Sequence, residues 1–325
     1  MSKDMRAVFI ALTICSEKVI INRIMPKNVC FAKELVMIKD RNGNIIATDS
    51  AQGGMLDFLY KNAFGRFVTK LLSRKFISEL GRLYMESPLS KRRIFKLIKE
   101  NNIDMSEYEN REFSSFNDFF TRKLAPRSRS FDMSPEAVIA PADSKLTAYD
   151  ICEDSLYHIK GCDYSVKSLL GGDEELAKRF YGGKCLVYRL SVDNYHRYCY
   201  MDSGIEEYYR HIPGIYHTVN PIALEYYDVY GKNCRELTML KTDNFGSVAY
   251  IEVGAMMVGK INNFHPENRF ERAEEKGFFS FGGSTIVLLY EKDKIVLDSD
   301  IAENSSREIE TCVKIGERVG TRAEA

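Results

Sequence analysis

Phe281-Gly282-Gly283-Ser284-Thr285 runs without a break into Ile286-Val287-Leu288-Leu289-Tyr290, and the reading of this junction decides the fold. Thr285–Tyr290 is a short uncharged run of β-branched, aliphatic and aromatic residues, the composition of a buried strand. The two glycines before Ser284 open backbone conformations closed to other residues, so a side-chain oxygen can approach the preceding carbonyl. Taken alone, the glycine-glycine-serine-threonine run reads first as a turn or bulge leading into a strand.

Outward from this junction the same short β-rich pattern recurs at Val138–Ala140, Cys185–Ser191, Ser247–Val253 and Lys294–Leu297. Turn chemistry separates the runs, as at Asp243-Asn244-Phe245-Gly246. Asn42-Gly43 between Val36-Met37-Ile38 and Ile45-Ile46 is a β-hairpin signal. Further along, the period changes. Leu56, Leu59, Ala63, Phe67 and Leu71 fall on one helical face, with Asn62, Arg66 and Thr69 on the other. A second helix is expected from Ser87 as N-cap and Pro88 at the first position, through Ile94, Leu97 and Ile98. A third carries Phe116, Phe119 and Phe120 and stops before Pro126. The expectation is α+β: an N-terminal extension over 1–53, amphipathic helices within 54–128, and an antiparallel-rich β domain over 129–325.

The chain has 325 residues, about two domains or one large domain with an appendage. Hydrophobic residues at 45% and charged residues at 28% exclude a disordered chain and a coiled coil. Forty-six basic and 46 acidic side chains cancel, which argues against wholesale nucleic-acid binding. The zero is not uniform. Met55 to Glu100 holds eleven Lys/Arg against four acids, a net of +7, so the remainder sums to −7. The eight cysteines (Cys15, Cys30, Cys152, Cys162, Cys185, Cys199, Cys234, Cys312) contain no C-x-x-C pair. That disfavours a zinc site or thioredoxin-like chemistry and suits a reducing compartment. Ala7–Cys15 is apolar but too short to span a bilayer, and it lacks a small-residue cleavage site. No transmembrane helix and no repeat is expected.

Three segments carry candidate chemistry. Ser284 is a nucleophile candidate. In Asp193-Asn194-Tyr195-His196-Arg197-Tyr198-Cys199-Tyr200, His196 can act as general acid or base, and Arg197 can pair with a carboxylate or phosphate. The plainer reading of that octapeptide is a strand edge with a satisfied histidine. In Pro141-Ala142-Asp143-Ser144, Asp143 ends an apolar run, where aspartates are usually turn formers. Together they supply an aspartate, a histidine and a serine, the set a charge relay needs. Spacing does not show that they converge.

On these residues the chain resembles the phosphatidylserine decarboxylase precursors of the shorter bacterial type. The matching pieces are Ser115-Phe116-Asn117-Asp118-Phe119-Phe120-Thr121-Arg122-Lys123-Leu124, Pro141-Ala142-Asp143, Asp193 to Arg197, Val253-Gly254-Ala255-Met256-Met257-Val258-Gly259, and Lys276-Gly277 with Phe281 to Thr285. They cover about residues 55–320, and residues 1–36 fall outside them, so the family-like chain could begin near Met37. The resemblance implies self-processing. Ser284 Oγ attacks the Gly283 carbonyl, the resulting ester eliminates, and hydrolysis leaves a pyruvoyl group with loss of ammonia. The products are a β chain of residues 1–283 and an α chain of residues 284–325, which stay associated. The pyruvoyl carbonyl captures the substrate amine and acts as electron sink for loss of CO₂, without PLP or a metal. The implied enzyme is a carboxy-lyase converting phosphatidylserine to phosphatidylethanolamine. It is expected to be a homodimer at the cytoplasmic face of the cell membrane, peripherally bound, with no nucleic-acid partner. Residues 129–325 would then be the catalytic domain and 54–128 a membrane-docking region, whose alternative is an ordinary amphipathic pair with a solvated basic face.

One departure stands out. The family's processing base is typically the second histidine of a Y-H-R-x-H pattern, and Cys199 occupies that position. His196 matches the first histidine, which the family links to decarboxylation. A neutral thiol is a poor base, and a thiolate needs a depressed pKa. Three readings stay open: His196 also serves processing, His217 substitutes, or self-cleavage is slow or absent. A lesser departure is Ser144, where the family often has glycine. The competing classes are a non-cleaving membrane-binding homologue and, with less support, a thiol enzyme using Cys199.

Overall fold

The fold is known from a computed structural model, which describes residues 37–48, 75–152, 156–159, 162–215, 229–254, 260–281 and 284–324. The helix expected over 56–71 lies outside them. After the hairpin of β1 (Met37–Lys39) and β2 (Ile45–Thr48) come three helices, α1 (Lys75–Glu86), α2 (Arg92–Asn101) and α3 (Phe116–Phe120). The β-rich remainder begins with β3 (Ala137–Ile139), β4 (Ser144–Asp150), β5 (Leu156–Ile159), β6 (Cys162–Ser165) and β7 (Lys184–Leu190). It continues through β8 (Arg197–Cys199), β9 (Gly204–Ile212), β10 (Arg235–Thr242), β11 (Gly246–Gly254) and β12 (Ile261–Asn263). Last come β13 (Glu275–Phe279), β14 (Ser284–Tyr290), β15 (Ile295–Leu297), β16 (Glu310–Val313) and β17 (Arg318–Arg322). This is an α+β chain.

The main sheet has nine strands in the order β2-β1-β16-β4-β7-β14-β11-β10-β9. Every neighbouring pair in it is antiparallel except β1 with β16. The apolar run after Ser284 becomes β14, between β7 and β11 near the middle of the sheet, so both its faces need apolar cover. Alternation separates the faces. Leu186, Tyr188, Leu190, Val248, Tyr250, Ile286, Leu288 and Tyr290 enter one buried core, while Cys185, Val187, Ala249, Ile251, Val253, Val287 and Leu289 enter the other. A three-stranded sheet, β12-β13-β8, contributes Tyr198, Cys199 and Phe279 to the first of these cores. The β10–β11 hairpin closes where Asp243-Asn244-Phe245-Gly246 had signalled a turn, with Gly246 at φ +72°. The Asn42-Gly43 hairpin also forms, Gly43 taking φ +84°.

The helices form a small third core. Met85, Phe116 and Phe120 are buried there, with Tyr84, Ile94, Leu97, Val192 and Phe281 packed against them. Ser87 sits in extended backbone with Pro88 after it, as expected, but the first turn, Pro88–Lys91, is 3-10 and α2 starts at Arg92. Ser87 Oγ donates back to the Tyr84 carbonyl at 2.7 Å, so it does not cap the turn that follows. Asn102 ends α2 in the left-handed region at φ 50°. Ser115 Oγ caps α3 by accepting the Asp118 N–H at 3.1 Å. No described helix is long and apolar enough to cross a membrane.

Candidate active site

Ser284 is the first residue of β14, paired with Leu190 on one side and Gly254 on the other. Period-two alternation puts its side chain on the face of Leu190, Ile286 and Tyr188. Ser284 is fully buried, and its Oγ has no hydrogen-bond partner. A buried hydroxyl left unbonded costs stability, and such a group in a native structure calls for a reason such as a catalytic role. Across the ladder stands Gly254, so on that side Ser284 faces backbone and no side chain. Gly282, Gly283 and His217 lie outside the described residues.

The chain leading to Ser284 is held from two directions. Phe279 donates its backbone N–H to the His196 carbonyl at 2.9 Å. Two residues later, Phe281 donates its N–H to Asn117 Oδ1 at 2.8 Å. The Phe281 ring sits edge-on to Phe116 and Phe120, with centroids 5.0 and 5.3 Å away. The Phe-Asn-x-Phe-Phe run of α3 therefore has a physical role: two rings and one amide fix the entry to Ser284.

His196 lies against the other side of this cluster, its ring centroid 3.8 Å from that of Phe120. It is fully buried. Nδ1 sits 2.9 Å from the Asn194 carbonyl, an acceptor only, so Nδ1 carries the proton and Nε2 presents a lone pair. Nε2 has no partner. Burial, reinforced by the nearby Arg122 charge, pushes the imidazole well below its ordinary pKa, so it stays neutral. The preceding turn is held by Arg122, which donates to the Asp193 and Asn194 carbonyls at 3.3 and 3.4 Å.

Asp143 is brought to the same region through its backbone, since Pro141 O accepts the Cys199 N–H at 2.9 Å. Its carboxylate turns to other partners. Oδ1 accepts the Ile315 N–H at 2.9 Å and pairs with Arg129, whose other arm holds Glu107 at 2.6 Å. The residue oriented directly by Asp143 is Arg129, and the group orienting His196 is the Asn194 carbonyl. Cys199 is buried in the first core, and desolvation pushes its thiol well above the ordinary range. A thiol held protonated by burial is a poor base. Ser144, at the start of β4, bonds the Ala142 carbonyl at 3.3 Å.

Two residues given no role from sequence join this face. Lys276 and Glu252 are each 0% exposed and paired at 2.7 Å. Lys276 also donates to Thr238 Oγ1 at 3.1 Å. A glutamate inside the apolar run Ser247–Val253 was the available signal, because a charge at an inward strand position needs a partner. Among the described residues, no group of His, Cys, Asp and Glu is arranged to hold a metal ion.

The model of the phosphatidylserine decarboxylase family matches residues 116–321, which contain all of these groups except Glu107. The chain is 47% identical over 270 residues to phosphatidylserine decarboxylase proenzyme 2 of Clostridium acetobutylicum, covering 83% of this chain and 92% of the relative. Against the phosphatidylserine decarboxylase proenzyme of Clostridium perfringens it is 41% identical over 293 residues, covering 87% and 99%. The proenzyme of Ruminiclostridium cellulolyticum is 42% identical over 276 residues, covering 83% and 92%. A buried, unbonded serine after two glycines, a neutral histidine beside its approach, and relatives matched over nearly their full length place this chain in the phosphatidylserine decarboxylase family.

Proposed function

We propose that the chain is a self-processing precursor whose Ser284 becomes the pyruvoyl group of a phosphatidylserine decarboxylase. The observation that carries this reading is the buried Ser284 hydroxyl, with no hydrogen-bond partner, at the start of a central strand. Ser284 Oγ attacks the Gly283 carbonyl, the C–N bond breaks, and the chain continues as an ester. Elimination and hydrolysis then leave residues 284–325 blocked by pyruvoyl. The site fits the group: Gly254 opposes Ser284 without a side chain, and the neighbouring Leu190 and Ile286 are buried and apolar. The pyruvoyl carbonyl supplies an electron sink for decarboxylation of an amino acid head group.

His196 serves the decarboxylation step. Its bare Nε2 is a neutral, buried acceptor, and the bond from Nδ1 to Asn194 fixes the ring. Asp143 acts through Arg129 and the Ile315 amide to hold the Pro141–Asp143 segment against Cys199.

The lipid substrate is reached through α1 and α2. Leu83, Leu89 and Phe95 are exposed, Leu89 by 69% and Phe95 by 75%, among Lys91, Arg92, Lys96 and Lys99. Apolar side chains ringed by cations suit the interface of an anionic bilayer, each cation contributing about 1 kcal/mol near the surface. The same helices bury Met85 and pack the half-buried Ile94 and Leu97 against Phe116 and Phe120, the rings that contact His196 and Phe281. Docking thus occurs one layer from the chemistry. The reading is of a peripheral enzyme at the cytoplasmic face, acting as a homodimer of processed α and β chains.

The test is release of CO₂ from phosphatidylserine in vesicles by the wild type and by Ser284→Ala. Wild-type release with none from the variant supports the reading, and equal release by both overturns it.

A further inference from the structure

The Cys199 thiol is a poor base for the Ser284 proton, which leaves open what takes it. Among the described residues, the buried imidazole or carboxylate atoms without a hydrogen-bond partner are His196 Nε2 and Glu252 Oε2.

The sheet register places Glu252. Ser284 pairs with Gly254 and Ile286 pairs with Glu252, so Glu252 stands two residues along β11 from the residue opposite the nucleophile. Residues 252 and 254 share a face, as do 284 and 286, and paired residues share it too. Glu252 is therefore the diagonal neighbour of Ser284 on one face of adjacent strands. Such diagonals lie about 7–8 Å apart at Cα, within reach of a long side chain. Gly254, directly opposite Ser284 on that face, adds no side chain at its corner, and Ile286 stands at the other.

The rest of the pair is arranged for this. Lys276 reaches in from β13 and holds Glu252 Oε1 at 2.7 Å, the Asn263 side chain also steadies the carboxyl group, and Oε2 has no partner of its own within hydrogen-bond geometry. Ser284 Oγ is a buried donor without an acceptor, and Glu252 Oε2 is a buried acceptor without a donor. In the resting arrangement they are not bonded to each other.

We propose that Glu252, held by Lys276, is the general base of self-cleavage in this chain, in the place of the base the Cys199 position lacks. The inference rests on the self-processing reading given above. As Ser284 Oγ bonds to the Gly283 carbonyl carbon, its proton passes to Glu252 Oε2, and negative charge moves from the carboxylate to the carbonyl oxygen. The charges of Lys276, Glu252 and that oxygen sum to zero before and after. On collapse the C–N bond breaks, the proton passes from Glu252 to the departing nitrogen of Ser284, and Glu252 is again a carboxylate. Burial supports the assignment, because it pushes the Glu252 carboxyl above its ordinary pKa against the pull of Lys276 and so makes it a stronger base.

The test is the time course of cleavage of freshly purified precursor, read on denaturing gels and by intact mass. Wild type sets the reference. If it does not cleave, the self-processing reading itself fails. With wild type cleaving, Glu252→Gln is expected to slow cleavage by about 100-fold or more, the range for a lost general base. Glu252→Ala is expected to regain cleavage on addition of formate, which a purely structural role would not produce. Where Glu252→Gln lowers the melting temperature by unpairing Lys276, the double variant Glu252→Gln, Lys276→Gln removes both charges and carries the same expectation. Cleavage of folded Glu252→Gln or of the double variant within about threefold of wild type, far short of that range, overturns the assignment while leaving self-processing intact.

Discussion

Asn117 Oδ1 accepts the Phe281 N–H at 2.8 Å, joining α3 to the approach to Ser284 across 164 residues of sequence. One side chain thereby couples the helical part of the molecule to the approach to Ser284. Asn117→Ala leaves that half-buried amide without its acceptor, a loss of about 1–3 kcal/mol. The expected result is self-cleavage slowed roughly tenfold. Asn117→Asp, which keeps the acceptor, cleaves at close to the wild-type rate. Cleavage time courses of the two variants check this.

His196 makes stability depend on pH in a defined direction. Its folded pKa is lowered by burial, whereas the unfolded chain titrates near 6.5. Below about 6.5 the unfolded state takes up a proton that the folded state refuses, so this group's contribution is lost as pH falls. The slope approaches about 1.4 kcal/mol per pH unit. In the uncleaved Ser284→Ala background, adding His196→Asn is expected to flatten the fall in melting temperature between about pH 6.5 and 5. Melting curves at several pH values measure it, and an unchanged slope would count against a neutral buried imidazole.

Cys199 is expected to be chemically silent. In the native protein iodoacetamide labels the exposed Cys152 and spares Cys199, which is buried with its thiol held protonated. Cys199→Ala is expected to cleave within about threefold of wild type, far from the 100-fold of a lost base. Peptide mass mapping and a cleavage time course read the two outcomes.

The docking face yields a prediction separable from processing. Leu89→Ser with Phe95→Ser removes the two most exposed large apolar side chains among the described residues of the basic region, one in the 3-10 turn and one in α2. Each buried large apolar side chain is worth about 1.5–3 kcal/mol, so binding to anionic vesicles is expected to weaken at least tenfold. Self-cleavage stays unchanged. Co-sedimentation at low and high salt measures the first, and wild-type binding at high salt should fall as the charges are screened.

Much of the fold could be read from periodicity. The hairpin at Asn42-Gly43, the strand after Ser284 and the three phenylalanines of α3 all appear where their patterns put them. Those signals are local, and each element satisfies its own backbone requirements. What could not be read was which strands become neighbours. The parity of Glu252 was visible, but its place diagonal to Ser284 exists only once β11 pairs with β14. Asp143 was legible as a candidate, yet its partners Arg129 and Ile315 are set by tertiary packing, so its carboxylate meets a guanidinium where a histidine had been expected. The domain boundary near 128 follows composition, whereas α3 packs directly on Phe281 and His196.

The central claim is that the bond between Gly283 and Ser284 breaks by the chain's own action. Intact mass of purified wild-type protein under denaturing conditions tests it most directly. The expected result is two species, residues 1–283 and a 42-residue fragment beginning at 284 and blocked at its N-terminus, with Ser284→Ala remaining whole. A single 37.3 kDa species that persists through long incubation and treatment with hydroxylamine would contradict it.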